Sequence, residues 1–405
     1  MGIALTGVHL TKRGFLVIMI LFFSFFSWYF SFSFSALQHI FSSTPETFPM
    51  INASFNFTTV ITLVLSSFFI HKFNKMHIIY GYAIITPIAS LILLLSSSLV
   101  LKLIIVFAAA ILFGISQLAS LKYFWSLTTS IERGRTAGLA GIFTLPLAYI
   151  TGWLAETSNF SGTIIICIIL NLITLTIILF NPENKPTLTK KKDERGHHPE
   201  KRTILLYAIP WILFSIINIT LARNISIHVS QNIQSTFYMI LLVLQMIASG
   251  FGALAGGIVA DLFGRRFPIG FSLTLYGIST ALGAFTQNHE VLYFIYIANG
   301  LTWGIFWTMY IPVIWGDLTN KENNIKTYAF GLLIYYLSTG IGILLSNQIS
   351  QIPIMTSALL GCILIFLSNI PIILAPELLS QDFRDSIKLK LYMNILRKKR
   401  KKPLS

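Results

Sequence analysis

The chain has 405 residues, of which 55% are hydrophobic and only 11% charged, with a formal net charge of +15. So apolar a composition excludes an ordinary soluble domain, and two cysteines leave no disulfide framework and no thiolate metal site. The basic surplus fits the anionic inner leaflet of a membrane and calls for no nucleic acid.

A bilayer core takes about 20 apolar residues per helical span. Such runs predict twelve transmembrane helices, near 14–36, 52–71, 77–98, 101–124, 137–156, 159–180, 203–222, 235–260, 267–286, 290–314, 328–348 and 353–375. The first follows Lys12 and Arg13. It outruns the roughly 7–15-residue apolar region of a signal peptide and has no convincing cleavage site, so it is read as a span. Cys167 and Cys362 fall inside spans and read as inert thiols.

Twelve spans with a cytoplasmic N-terminus leave only Lys102 and Arg223, of 29 Lys and Arg, on the outer side. This positive-inside pattern needs an even number of spans and puts both termini in the cytoplasm. Asn52, Asn56, Asn159 and Asn224 begin N-x-S/T triplets in or beside the outer loops, a weak glycosylation signal.

The polar stretch NPENKPTLTKKKDERGHHPEKR reads as a cytoplasmic linker. It divides an N-terminal six-helix bundle (1–180) from a C-terminal one (203–375), with the linker at 181–202 and a basic tail at 376–405. Three pairs of segments recur at nearly one offset, which argues for a duplicated unit. Ser66-Ser67-Phe-Phe-Ile-His71-Lys72-Phe-Asn74-Lys75 matches Gly256-Gly257-Ile-Val-Ala-Asp261-Leu-Phe-Gly264-Arg265. Arg135-Thr136 matches Lys326-Thr327, and Pro182-Glu183 matches Pro376-Glu377.

The G-x-x-x-D-x-x-G-R-R loop after span 8, the Glu132-Arg133-Gly134-Arg135 loop before span 5 and the 6+6 layout resemble the major facilitator superfamily. The resemblance covers residues 14–378 and implies two pseudo-symmetric six-helix bundles, all-α, that move a small solute by alternating access. Pro182-Glu183-Asn184 and Pro376-Glu377-Leu378 are similar to the P-E-S and P-E-T signatures of sugar-porter-like members, in incomplete form.

The loop itself suggests a latch. Gly256 and Gly257 allow close helix packing, and Gly264 suits a tight turn with a left-handed backbone. Asp261 at the helix end can face the positive pole of a neighbouring helix. The resemblance implies that Asp261 faces the start of span 5 near Thr136–Gly138, and that Arg265 or Arg266 meets Asp317. The gating set is then Gly257, Asp261, Gly264, Arg265, Arg266 and Asp317, with Glu132, Arg133 and Arg135 opposite. In the first half His71 replaces the acid and Asn74 the glycine, so the equivalent latch is expected to be weak or missing.

Cavities of this superfamily are lined by spans 1, 4, 7 and 10. Span 10 carries Tyr296, Asn299, Trp303, Trp307 and Tyr310 on one helical face, and span 7 carries Tyr207, Trp211, Ser215 and Asn218. With Trp28 of span 1 and Gln117 of span 4, the expected cavity residues are Trp28, Gln117, Trp211, Ser215, Asn218, Asn299, Trp303 and Trp307. Aromatic faces mixed with amides and hydroxyls suit a neutral or amphipathic small molecule. All fourteen Asp and Glu lie at span ends or in loops, which disfavours a deep carboxylate relay; coupling to a proton through a peripheral acid is kept as an alternative. No cation is deep enough for an anion clamp, although Lys122 and Arg223 could reach inward from the span ends.

The tail has a cap at Ser380 and apolar Phe383, Ile387, Leu391 and Ile395 every four residues, ahead of a basic end. It reads as an interfacial helix on an anionic leaflet. No phosphate-binding glycine loop, nucleophile elbow or metal-ligand cluster is present, and no enzyme activity or cofactor is expected. The expected partners are a small-molecule substrate and the bilayer, with the chain a monomer in the cell membrane. The competing reading is a transporter-like sensor or assembly factor that moves nothing.

Overall fold

The computed structural model describes residues 12–42, 47–179, 200–285, 288–318 and 324–379. The linker core at 181–199 and the amphipathic tail expected from Ser380 lie outside these residues.

The described chain is helical. In the first half α1 is Lys12–Phe30, α2 Phe48–Phe69, α3 Lys75–Leu95, α4 Leu99–Leu127, α5 Arg133–Thr157 and α6 Phe160–Leu179. In the second, α7 is Lys201–Ile219, α8 Ser235–Phe263, α9 Arg266–Leu282, α10 His289–Thr308, α11 Asn324–Leu344 and α12 Ile354–Leu367. A helix Leu221–Asn232 follows α7 after a break at Thr220. π-helical segments extend α1 over Ser31–Ala36 and α10 over Met309–Val313.

These twelve helices occupy the twelve predicted spans. Ten segments of the described chain are long and apolar enough to cross a membrane. The exceptions are α9, with 17 residues, and α6, whose apolar described part is Phe160–Thr176. Large apolar side chains such as Ile61, Leu65, Phe251 and Phe271 face outward, as a lipid solvent requires. Asn74 and Asn288 accept backbone N–H bonds in the first turns of α3 and α10, so the polar residues between apolar runs act as helix starts.

Within the first half α1 packs on α5 and α6, and α3 on α4 and α6; within the second, α8 packs on α10 and α9 on α10 and α12. The halves meet along two pairs, α5 with α8 and α2 with α11. Those pairs exchange under the duplication, since span 2 corresponds to span 8 and span 5 to span 11. At the α5–α8 crossing, a Cβ on Gly138 would meet the Ala253 carbonyl at 2.6 Å, and one on Gly257 would run into the Gly134 carbonyl. Small residues therefore set the approach of the two backbones.

Several expectations change. Asn52 and Asn56 are buried inside α2, where Asn52 donates to the Ser33 carbonyl at 2.9 Å and Asn56 to the Asn52 carbonyl at 2.8 Å. Their triplets are helix-packing residues. Helix α5 starts at Arg133, four residues before the predicted span, and α8 continues through Asp261 to Phe263. Charged residues there are stabilised by partners, which an apolar-run criterion does not count. The predicted end of span 7 at 222 gives way to a further three turns of helix, Leu221–Asn232, whose buried face is Leu221, Ile225 and Val229.

Candidate functional site

Asp261 is fully buried in the last turn of α8 and takes four hydrogen bonds. Its Oδ1 accepts from the Gly134 N–H at 3.0 Å and from Arg265 Nη1 at 2.6 Å. Its Oδ2 accepts from the Arg135 N–H at 2.8 Å and Arg135 Nε at 3.0 Å. Gly134 and Arg135 belong to the first turn of α5, where backbone N–H groups lack intrahelical acceptors and the helix dipole is positive. The contact falls just before Thr136–Gly138 because α5 begins earlier than the apolar run.

Arg265 carries the network onward. Its Nε donates to Asp317 Oδ2 at 2.7 Å and its Nη2 to the Ser130 carbonyl at 2.5 Å. Arg133 Nη1 pairs with the other oxygen of Asp317. The chain Arg135–Asp261–Arg265–Asp317–Arg133 thus passes between the halves twice, with Glu132 buried beside it and accepting from the Thr129 N–H at 3.3 Å. Trp125 Nε1 adds a bond across the halves to the Gly316 carbonyl at 3.1 Å.

Gly264 has φ +102°, a region L side chains avoid, and the Glu377 carboxylate lies against it. Glu377 Oε1 accepts from the Arg265 N–H at 2.7 Å and Oε2 from the Arg266 N–H at 3.3 Å, capping the start of α9. Arg266 does not reach Asp317. Its Nε donates to the Ile372 carbonyl at 3.0 Å, and its Nη2 bonds the Ile373 carbonyl. The roles of Arg133 and Glu377 escaped sequence reasoning; the recurring Pro-Glu pair was the available signal for Glu377.

The equivalent place in the first half is open. His71, Lys72 and Asn74 are exposed, and among the described residues no ion pair forms there. Lys326, at the start of α11, lies with Nζ 4.9 Å from the Phe68 ring centroid.

Away from this latch is a cavity of about 300 Å³ between the halves. Its walls come from α1 (Phe26, Phe30), α5 (Leu145, Tyr149), α7 (Asn218), α8 (Gln245, Ser249), α10 and α11. These residues lie at the middle of their helices or toward the end remote from the latch. The α10 wall is Tyr296, Asn299, Trp303 and Trp307. Asn218 Oδ1 accepts from Trp303 Nε1 at 3.2 Å and from the Tyr276 hydroxyl at 2.9 Å, and Asn299 Oδ1 accepts from Ser279 Oγ at 2.8 Å. Edge-on contacts of Phe22 and Phe26 with Trp307, both at 5.4 Å, close it toward the latch.

Of the eight expected residues, Asn218, Asn299, Trp303 and Trp307 line this cavity; Trp28, Gln117, Trp211 and Ser215 do not. Trp28 stacks between Phe32 and Phe113, at 4.7 and 5.3 Å, within the first half. Trp211 stacks on Tyr310 at 4.9 Å and donates Nε1 to the Gly331 carbonyl at 2.9 Å, joining α7 to α11. Ser215 is buried on that side of α7. Gln117 Oε1 accepts from the Tyr336 hydroxyl at 2.7 Å, a bond between the halves. Sequence reasoning missed Gln245, a lone amide in an apolar run, and placed Arg223 at the outer end of span 7, able to reach inward. Arg223 lines the cavity because the chain stays helical past Thr220.

Residues 202–397 match the family model of the Major Facilitator Superfamily. The family match thus covers the second half of the chain. No curated protein matches it. Among solved structures it is similar to a bacterial homologue of the iron transporter ferroportin in an outward-facing state with soaked iron, at 10% identity and TM-score 0.68 over 90% of this chain and 99% of that one. It is also similar to the human organic anion transporter MFSD10, at 9% identity and TM-score 0.71 over 89% and 99% of the two chains. The fucose:proton symporter of E. coli gives 13% identity and TM-score 0.62 over 89% and 98%. These likenesses extend the superfamily fold over both halves. The protein is therefore a multi-pass integral membrane protein, and the family match of its second half supports membrane transport of a solute.

Proposed function

We propose that this protein carries a small amphipathic solute by alternating access, and that the state described above is outward-facing. The observation that carries the reading is the position of the cavity: both halves wall it, and it lies wholly beyond a closed, charged latch. Positive-inside asymmetry sets the latch end in the cytoplasm, with Arg133, Arg135, Arg265 and Arg266 there and Lys102 and Arg223 at the opposite end. Closing the outer end and opening the latch would then expose the same walls to the cytoplasm.

The proposed binding wall is Asn218, Asn299, Trp303 and Trp307, with Phe26 and Phe30 opposite. One chain supplies the whole wall, which suits a monomer. No carboxylate of the chain lies deep in a span, which supports facilitated diffusion over a proton relay.

The test is uptake and efflux from proteoliposomes with a panel of neutral sugars, amphipathic cations and organic acids, with and without a pH gradient. Flux of one amphipathic class, unaffected by the gradient and reduced at least tenfold by Trp303→Ala, is expected. Flux that needs a proton gradient would overturn the facilitative part of the reading. Flux untouched by Trp303→Ala would remove the site.

A further inference from the structure

Among the cavity's lining residues, Arg223 is the one that carries charge. It sits in the first turn of the Leu221–Asn232 helix, just past the break at Thr220, whose φ of −105° and ψ of −84° redirect the chain. That helix holds its place through Leu221, Ile225 and Val229, and through Asn224, which donates to the Ile352 carbonyl at 3.1 Å and Ser357 Oγ at 3.0 Å. The arginine is therefore presented by an anchored helix. Among the described residues it has no ion pair and no hydrogen bond; the four ion pairs all belong to the latch.

The remaining polar groups of the wall are amides and hydroxyls, without charge. The side-chain oxygens of Asn218 and Asn299 are engaged by Trp303, Tyr276 and Ser279. The hydroxyls of Ser249 and Thr339 donate to the carbonyls of Met246 and Tyr335 within their own helices. The donors of the wall include the guanidinium of Arg223 and the amide nitrogens of Asn218 and Asn299, beside the Gln245 amide and hydroxyls that can also accept. The other lining residues are mostly aromatic or aliphatic. One cation and no carboxylate among the described lining favour a ligand that brings negative charge. Guanidinium pairs with carboxylates and similar oxyanions through two parallel hydrogen bonds.

We infer that the substrate is an amphipathic organic anion, its oxyanion head held by Arg223 and the amides of Asn218 and Asn299, its apolar body against Phe26, Phe30, Trp303 and Trp307. The inference rests on the transport reading above and narrows its substrate class. Arg223 acts as the selector of charge, and the aromatic wall supplies affinity without sign.

The test uses three probes of one shape, 4-phenylbutyrate, 4-phenylbutanamide and 4-phenylbutylamine, with binding to the purified full chain followed by calorimetry. The acid is expected to bind at least tenfold more tightly than the amide or the amine. Arg223→Gln should bring acid and amide together, and Arg223→Lys should keep part of the preference; comparable thermal unfolding of both variants and the parent shows that they fold. Equal binding of acid and amide to the parent chain would overturn the anion class while leaving the transport reading to its own flux test. An acid preference that survives Arg223→Gln would overturn the assignment to Arg223. Binding of none of the three would overturn the proposed substrate class.

Discussion

The loop after α8 and the loop after α2 occupy equivalent places in a duplicated unit, yet one is a buried charge network and the other an exposed turn. In the second half Asp261 is wholly buried and meets two backbone N–H groups and two arginines. In the first half His71 is exposed, and Lys326 rests near Phe68 where an acid would have met it. Duplication preserves helix positions, whereas a latch needs one acid placed against one helix start. Losing that acid removes the latch and leaves the fold intact. Closure at the latch end therefore depends on one side of the pseudo-dyad.

Removing the acid should have the largest effect. Asp261→Asn keeps the shape but leaves Arg135 without its counter-charge and Arg265 with Asp317 alone, and breaking a buried pair costs about 3–5 kcal/mol. Because Arg135 lies on the other half, much of this falls on the closed state, and a shift of roughly 100-fold toward an open latch is expected. Labelling of single cysteines at Thr129 and Ser226, in a chain lacking Cys167 and Cys362, reads both ends at once. Unchanged labelling at both would show that the latch does not hold the state.

A steric change sharpens the same contrast without touching charge. Gly257→Val puts a side chain into the Gly134 carbonyl and should cost about 1–3 kcal/mol. The equivalent Ser67→Ala should stay within about 0.5 kcal/mol, since the Ser67 hydroxyl bonds only the Val64 carbonyl of its own helix. Thermal unfolding of the two variants compares them directly; equal destabilisation would mean that the α5–α8 crossing is no tighter than its counterpart.

The smallest effect is expected from restoring the lost acid. His71→Asp offers Lys326 an exposed partner worth about 0.2–1 kcal/mol and sensitive to salt. Thr129 labelling should fall less than about fivefold, and less again at high ionic strength. A shift as large as that of Asp261→Asn would show that exposure, and not the acid, is the lesser difference between the loops.

The membrane class, the twelve spans and the duplication were readable because each rests on runs of residue types, and a bilayer demands such runs. The charges of the latch were readable as a motif, but Arg133 was not distinguishable from Arg135 as the partner of Asp317. Both stand at the start of α5, and only the docking of α5 on α8 separates them. The helix that carries Arg223 was missed for a related reason. LARNISIHVSQN is too polar to register as a span, although Leu221, Ile225 and Val229 at helical spacing marked a helix with one buried face.

The aromatic stripes draw the line between the two kinds of information. Trp211 and Trp303 sit on helices with similar patterns of aromatic and polar residues, and sequence spacing equates them. In the fold, Trp303 lines the cavity beside Asn218, while Trp211 lies flat on Tyr310 and bonds the Gly331 carbonyl. By itself the sequence determined the solvent, the number of spans, the repeat and the side on which the basic residues fall, since these follow from transfer energies and order along the chain. Only the tertiary structure decided which end was closed, which four of eight expected residues shared a cavity, and that an arginine stood among them. Those depend on the rotation of each helix about its axis, which is set by packing against neighbours remote in sequence.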